Sequence, residues 1–70
     1  MIQVDEMPTS GRFAVVFECD NGIHTFKMLW IGDVLYEASE KDGSLDYIED
    51  AESLKKYHKK SSARYFIEED

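Results

Sequence analysis

Between Arg12 and Ile31 large apolar side chains alternate with other residues on both sides of an Asn21-Gly22 pair, a pattern that restricts the fold more than anything else in the chain. Asn-Gly is favoured at the centre of a type I′ hairpin turn, because both positions need positive φ. Period-two alternation means each flank is a strand with two distinct faces. Phe13, Val15, Phe17 and Cys19 share one face of the first strand, and Ala14, Val16 and Glu18 share the other. On the returning strand His24, Phe26, Met28 and Trp30 fall together, opposite Ile23, Thr25, Lys27, Leu29 and Ile31. Cross-strand packing of such residues stabilises a sheet, so the face holding Phe13, Phe17 and Phe26 is the expected core, with Cys19 at its end.

The rest of the chain extends this hairpin. Gly32-Asp33 reads as a second tight turn, followed by Val34–Ala38 as a third antiparallel strand. Pro8 and Gly11 mark a loop after Ile2-Gln3-Val4, a candidate short strand. Leu45-Asp46-Tyr47-Ile48 has two readings: a fourth short strand after the Asp42-Gly43 turn, or the start of a helix capped by Ser44 and running to about Lys60. A narrower helix from Ala51 to Lys60, capped by Asp50, fits either reading. Ala63–Ile67 is β-prone and is expected to join the sheet. The expected fold is therefore α+β: a small, mainly antiparallel β-meander of three to five strands with one helix packed on one face. Residues 1–70 form one domain, with 1–11 a partly ordered N-terminal segment and 68–70 an acidic tail.

A domain of 70 residues buries a modest core, and covalent help is missing. Cys19 is the lone cysteine, which excludes an internal disulfide and fits a reducing interior. One Cys with His24 and His58 does not make a zinc finger set. No apolar run approaches a membrane span, and the first residues do not resemble a signal peptide, so the expectation is a cytoplasmic protein without membrane contact or cofactor.

Charge is large and segregated. The net charge is −7, which opposes binding to a phosphate backbone or an anionic membrane. Asp33, Glu37, Glu40, Asp42, Asp46, Glu49, Asp50 and Glu52 lie in one stretch with a single base, Lys41. Lys55, Lys56, Lys59, Lys60 and Arg64 follow in a stretch without acids, and Glu68-Glu69-Asp70 ends the chain. Acids early and lysines late in a helix complement its dipole, and Glu52 with Lys56 is a favourable i, i+4 pair. That account does not cover Glu37, Glu40, Asp42 or the tail.

Sites for chemistry are sparse. The sequence has no Gly-rich phosphate loop, no GxSxG and no HExxH. Cys19 and His24 flank the hairpin turn and are the minimum for a thiol–imidazole pair, although Cys19 shares the core-facing side. Residues 38–49 resemble an EF-hand loop in part, with Asp42, Gly43, Leu45, Asp46 and Glu49 at matching positions. Ala38 stands where the first ligand belongs, so a turn with incidental acids is the better account. Lys55 to Phe66 mixes basic and aromatic residues, the ingredients of a single-strand nucleic-acid platform. The order hairpin, helix, strand with an acidic surface resembles small phage inhibitors of host RNA polymerase, some anti-restriction and anti-CRISPR proteins, and the opening strands of HicB-type antitoxins. No motif of theirs matches residue by residue, and no functional residues carry over.

The expected function is non-enzymatic: a small acidic module that binds a protein with a basic surface and regulates or inhibits it. Such a surface could imitate nucleic acid toward a nucleic-acid-processing enzyme. Glu37, Glu40, Asp42, Asp46 and Glu49, with the terminal acids, are the candidate contacts, and Tyr36 and Tyr47 the apolar anchors. The alternatives are nucleic-acid binding through residues 55–66 and a homo-oligomer formed through a sheet edge.

Overall fold

The computed structural model describes residues 1–68, so Glu69 and Asp70 of the expected acidic tail lie outside the described residues. Its elements are β1 (Ile2–Val4), β2 (Arg12–Cys19), β3 (Gly22–Ile31), β4 (Val34–Ala38), β5 (Leu45–Tyr47), α1 (Ala51–Lys60) and β6 (Arg64–Ile67). One sheet holds all the strands in the order β1-β6-β2-β3-β4-β5, with every neighbouring pair antiparallel. Strands β2 to β5 form a meander. The helix then carries the chain back across the sheet, so that β6 pairs with β2 and β1 pairs with β6. The α+β architecture is as expected, but the sheet has six strands rather than three to five. The two outermost, β1 and β5, have three residues each.

The central hairpin differs from expectation at its turn. Cys19 pairs with Gly22, so Asp20 and Asn21 form the loop. Neither has positive φ, while Gly22 has φ +127. A type I′ turn centred on Asn21-Gly22 would need positive φ at both central positions. Moving the loop back by one residue changes each cross-strand partner by two, which preserves both faces. His24 therefore opposes Phe17 rather than Cys19. At the next turn Ile31 pairs with Val34, and Gly32 has φ +60, a conformation glycine adopts without strain.

Strand formation at Leu45–Tyr47 settles the helix start. Gly43, with φ +72, turns the chain, and Ser39 N donates to Ser44 O at 2.8 Å. The Asp50 side chain then accepts from Ser53 N at 3.1 Å and from Ser53 Oγ at 2.8 Å, capping α1. A longer helix from Ser44 does not form, because residues 45–47 pair with β4. At the other end Ser62 N donates to Lys59 O at 3.3 Å and Ala63 N to His58 O at 3.0 Å. This is the Schellman arrangement, with Ser62 at φ +54 where glycine is usual.

Helix α1 covers one face of the sheet. Val15 and Leu35 are fully buried there, with Phe13, Phe17, Met28, Tyr65 and Met7 completing the core. Ala51 and Leu54 pack onto this cluster from the helix. Phe17 meets Phe26 at 5.6 Å and His58 at 5.4 Å between ring centroids, both edge-on. Coverage fades toward the turn end of the hairpin: Phe26, opposite Val15, is 39% exposed, and Cys19, expected in the core, is exposed. The N-terminal segment is tied down at Trp30. The indole Nε1 donates to Pro8 O at 2.8 Å and the Trp30 amide to Gly11 O at 2.9 Å. Among the described residues no helix is long and apolar enough to cross a membrane.

Candidate functional site

Alternation along β4 and β5 determines where the acidic residues stand. Glu37 directly opposes Asp46, and Tyr36 directly opposes Tyr47. Successive residues point to opposite faces, so the carboxylates lie on the helix side and the tyrosines on the open side. The tyrosine rings approach to 6.2 Å between centroids. Within the expected surface, Glu37 and Asp46 are therefore back to back with Tyr36 and Tyr47 across the sheet.

Of the candidate acids the register places Glu37 and Asp46 on the helix side, whereas Glu40 borders the groove on the open face. Glu40 and Asp42 lie in the exposed loop between β4 and β5, and Glu49 is exposed just past β5. Ile48 N donates to Leu35 O at 2.9 Å, which holds the segment bearing Glu49 against β4. Asp42 has a local structural role as well: its Oδ1 accepts from Ser44 N at 3.0 Å. That amide holds the Asp42 carboxyl below the usual carboxylate range, so it stays ionised. Like charges directly opposite on neighbouring strands destabilise a sheet, which makes the Glu37–Asp46 pair unfavourable for folding alone. Among the described residues the one ion pair is Arg64 Nη2 to Glu18 Oε2 at 3.5 Å, and it involves none of these acids.

The other candidate sites resolve differently. Residues 38–49 connect two strands, not the helices of an EF-hand, and no group of three or more potential metal ligands occurs among the described residues. His24 contacts Asn21 Oδ1 at 3.2 Å from Nε2, and the shifted turn leaves Cys19 opposite Gly22 instead of opposite it. The basic and aromatic stretch 55–66 is divided: its lysines and exposed Tyr57 lie on α1, Tyr65 is buried, and Arg64 and Phe66 lie on the face of the sheet away from α1. Lys55 and Lys59 border a cleft of about 440 Å³ that also contains Asp5 and Glu6. The residues of that alternative single-strand platform are thus distributed between α1 and both faces of β6.

Two further features escape a linear reading. His58 is 3% exposed, and its Nδ1 shares a 3.0 Å hydrogen bond with Tyr65 Oη, the direction depending on the tautomer. Burial pushes His58 down and Tyr65 up from their ordinary values, so both are neutral near pH 7. No run of sequence marks this pair, because it depends on how α1 lies over β6. The second feature is the uncovered face of the sheet. Ile23, Ile31, Leu45 and Tyr47 stand exposed on it, and a groove of about 690 Å³ crosses it over Ala14, Lys27 and Ala38. Its signal was present in the outer positions of β3, where Ile23, Leu29 and Ile31 are as apolar as the inner ones.

Comparison with protein-family models, with curated proteins and with solved structures gave no match.

Proposed function

We propose that this protein is a non-enzymatic binding module whose acidic edge captures a basic surface on another protein and thereby regulates or inhibits it. The observation that carries the reading is the Glu37–Asp46 opposition at the sheet edge. Two carboxylates directly across from each other work against the fold, and Glu40, Asp42 and Glu49 stand exposed in the segments adjoining them. A basic partner would relieve that repulsion on binding, so complex formation gains what the free domain loses. Complementary charge also speeds encounter and makes capture sensitive to salt. A protein that handles nucleic acid has a suitable basic cleft, and a row of carboxylates can stand in for its phosphates. The same reading sets the action in the cytoplasm, where a lone exposed thiol such as Cys19 stays reduced.

The experiment is affinity capture from an extract of the native host, with the wild-type chain and a Glu37→Gln/Glu40→Gln/Asp42→Asn variant as baits. Asn at position 42 retains an acceptor for the Ser44 amide. The reading expects a partner retained by wild type, eluted by moderate salt and lost from the variant. Equal capture by both baits refutes it.

A further inference from the structure

The face of the sheet away from α1 carries Lys27 and Arg64 among the apolar residues near its middle and Arg12 and Glu18 toward the two ends of β2, and its layout has a twofold character. The row Tyr65–Val15–Phe26 crosses β6, β2 and β3 in register. On β2, Arg12 and Glu18 stand three residues on either side of Val15, both on the open face, with Ala14 and Val16 between them. On β3, Leu29 and Ile23 stand three residues on either side of Phe26, with Lys27 and Thr25 between them. On β6, Arg64 and Phe66 flank Tyr65. Rotation by half a turn about this row brings Arg12 over Glu18, Ala14 over Val16, Leu29 over Ile23 and Arg64 over Phe66 of a second copy. Four pairings are complementary, cation with anion, small with branched, apolar with apolar, and guanidinium with an aromatic ring, and the same rotation sets Lys27 over Thr25. Face-to-face sheets pack about 10 Å apart with strands within about 30° of each other, an offset that long Arg and Glu side chains absorb.

We propose that this open face is a self-association surface on which two copies of the chain pack sheet against sheet about that row. This goes beyond the acidic-edge reading and does not rest on it. Size is adequate. Six strands spaced ~4.8 Å apart, by ~26 Å along β2, give a footprint of at most about 600 Å², before side-chain relief is counted. A standard interface buries about 800 Å² of accessible surface per partner. Edge pairing is the weaker route to a dimer, because both edge strands have only three residues. The existing partner of Glu18 does not compete strongly: Arg64 meets one of its oxygens at 3.5 Å, and both side chains are solvent-exposed. Against a nucleic-acid occupant, the face lies on a chain of net charge −7.

The test is sedimentation equilibrium on the whole chain over a wide concentration range, at low and moderate salt. Wild type is expected to approach twice the 8.1 kDa chain mass as concentration rises. Arg12→Glu alone, or Glu18→Arg alone, sets like charges against each other twice in a symmetric pair, and each is expected to remain a single-chain species. Mixing the two variants pairs opposite charges at both contacts, and the mixture is expected to regain the doubled mass. That rescue separates a lost interface from a lost fold, since a misfolded variant is not restored by another. A wild type that stays at one chain mass throughout overturns the proposal. So does a dimer that both single variants still form, or a single-stranded oligonucleotide bound by a monomeric wild type and released by Arg12→Glu.

Discussion

Acidification from about pH 7.5 to about pH 5 is expected to destabilise the domain through His58. The imidazole is 3% exposed and surrounded by aromatic rings, Phe17 from β2, Tyr65 from β6 and Tyr57 from its own helix. Burial alone lowers its folded value below the ordinary 6.5 of the unfolded chain. Above that value both states hold a neutral ring, and His58 contributes no pH dependence. Below it the unfolded state takes up a proton that the folded state does not, so stability falls until the folded value is reached. Over that window the loss approaches about 1.4 kcal/mol per pH unit. In a domain of this size 1 kcal/mol corresponds to roughly 4–8 °C in Tm. The carboxyls of Asp42 and Asp50 are held below the ordinary 3.8, so their contributions persist above that value and are lost only beneath it, outside this window. The assay is urea unfolding at a series of pH values for wild type, His58→Gln and, as a control, His24→Gln. Wild type and His24→Gln are expected to lose stability below about pH 6.5 while His58→Gln stays nearly level. Parallel profiles for wild type and His58→Gln would refute the burial argument.

Three substitutions examine the fold that presents the two surfaces. Leu35→Ala removes a fully buried side chain and is expected to cost about 2–5 kcal/mol in urea unfolding. Ser62→Gly relieves the left-handed backbone at the helix C-terminus, and calorimetry should show stabilisation of about 0.5–1 kcal/mol. Trp30→Phe deletes the indole donor to Pro8 O, and the expected loss is about 0.5–1.5 kcal/mol with faster amide exchange in residues 5–11.

Much of this architecture was legible because period-two alternation is a direct consequence of strand geometry. Phe13, Val15 and Phe17 face the core as their spacing requires, and the Asp50 cap and the Lys60 terminus match the narrower helix. The hairpin turn was misplaced because Asn-Gly preference describes local φ only, whereas the observed register places Gly22 at the strand start with positive φ. Cys19 was assigned to the core because alternation identifies a face but not how far a ten-residue helix extends over it. The acidic candidates were visible as composition. The division of Glu37 and Asp46 from Tyr36 and Tyr47 needed the β4–β5 register, and the short strand that creates it competes with a helix on local propensity. The His58–Tyr65 contact and the open face are tertiary features. Both depend on which side of the sheet α1 crosses, and no local pattern encodes that choice.

The central claim is that the acidic edge is arranged for a partner at the expense of the fold, and a Glu37→Gln/Asp46→Asn variant tests it most directly. Stability and capture of the affinity-isolated partner are measured on the same preparation, at low and moderate salt. The account predicts opposite movements: the free domain gains about 0.2–1 kcal/mol as the cross-strand repulsion is removed, while capture weakens and loses its salt dependence. A variant that binds as tightly as wild type, with the same response to salt, contradicts the account whatever its stability.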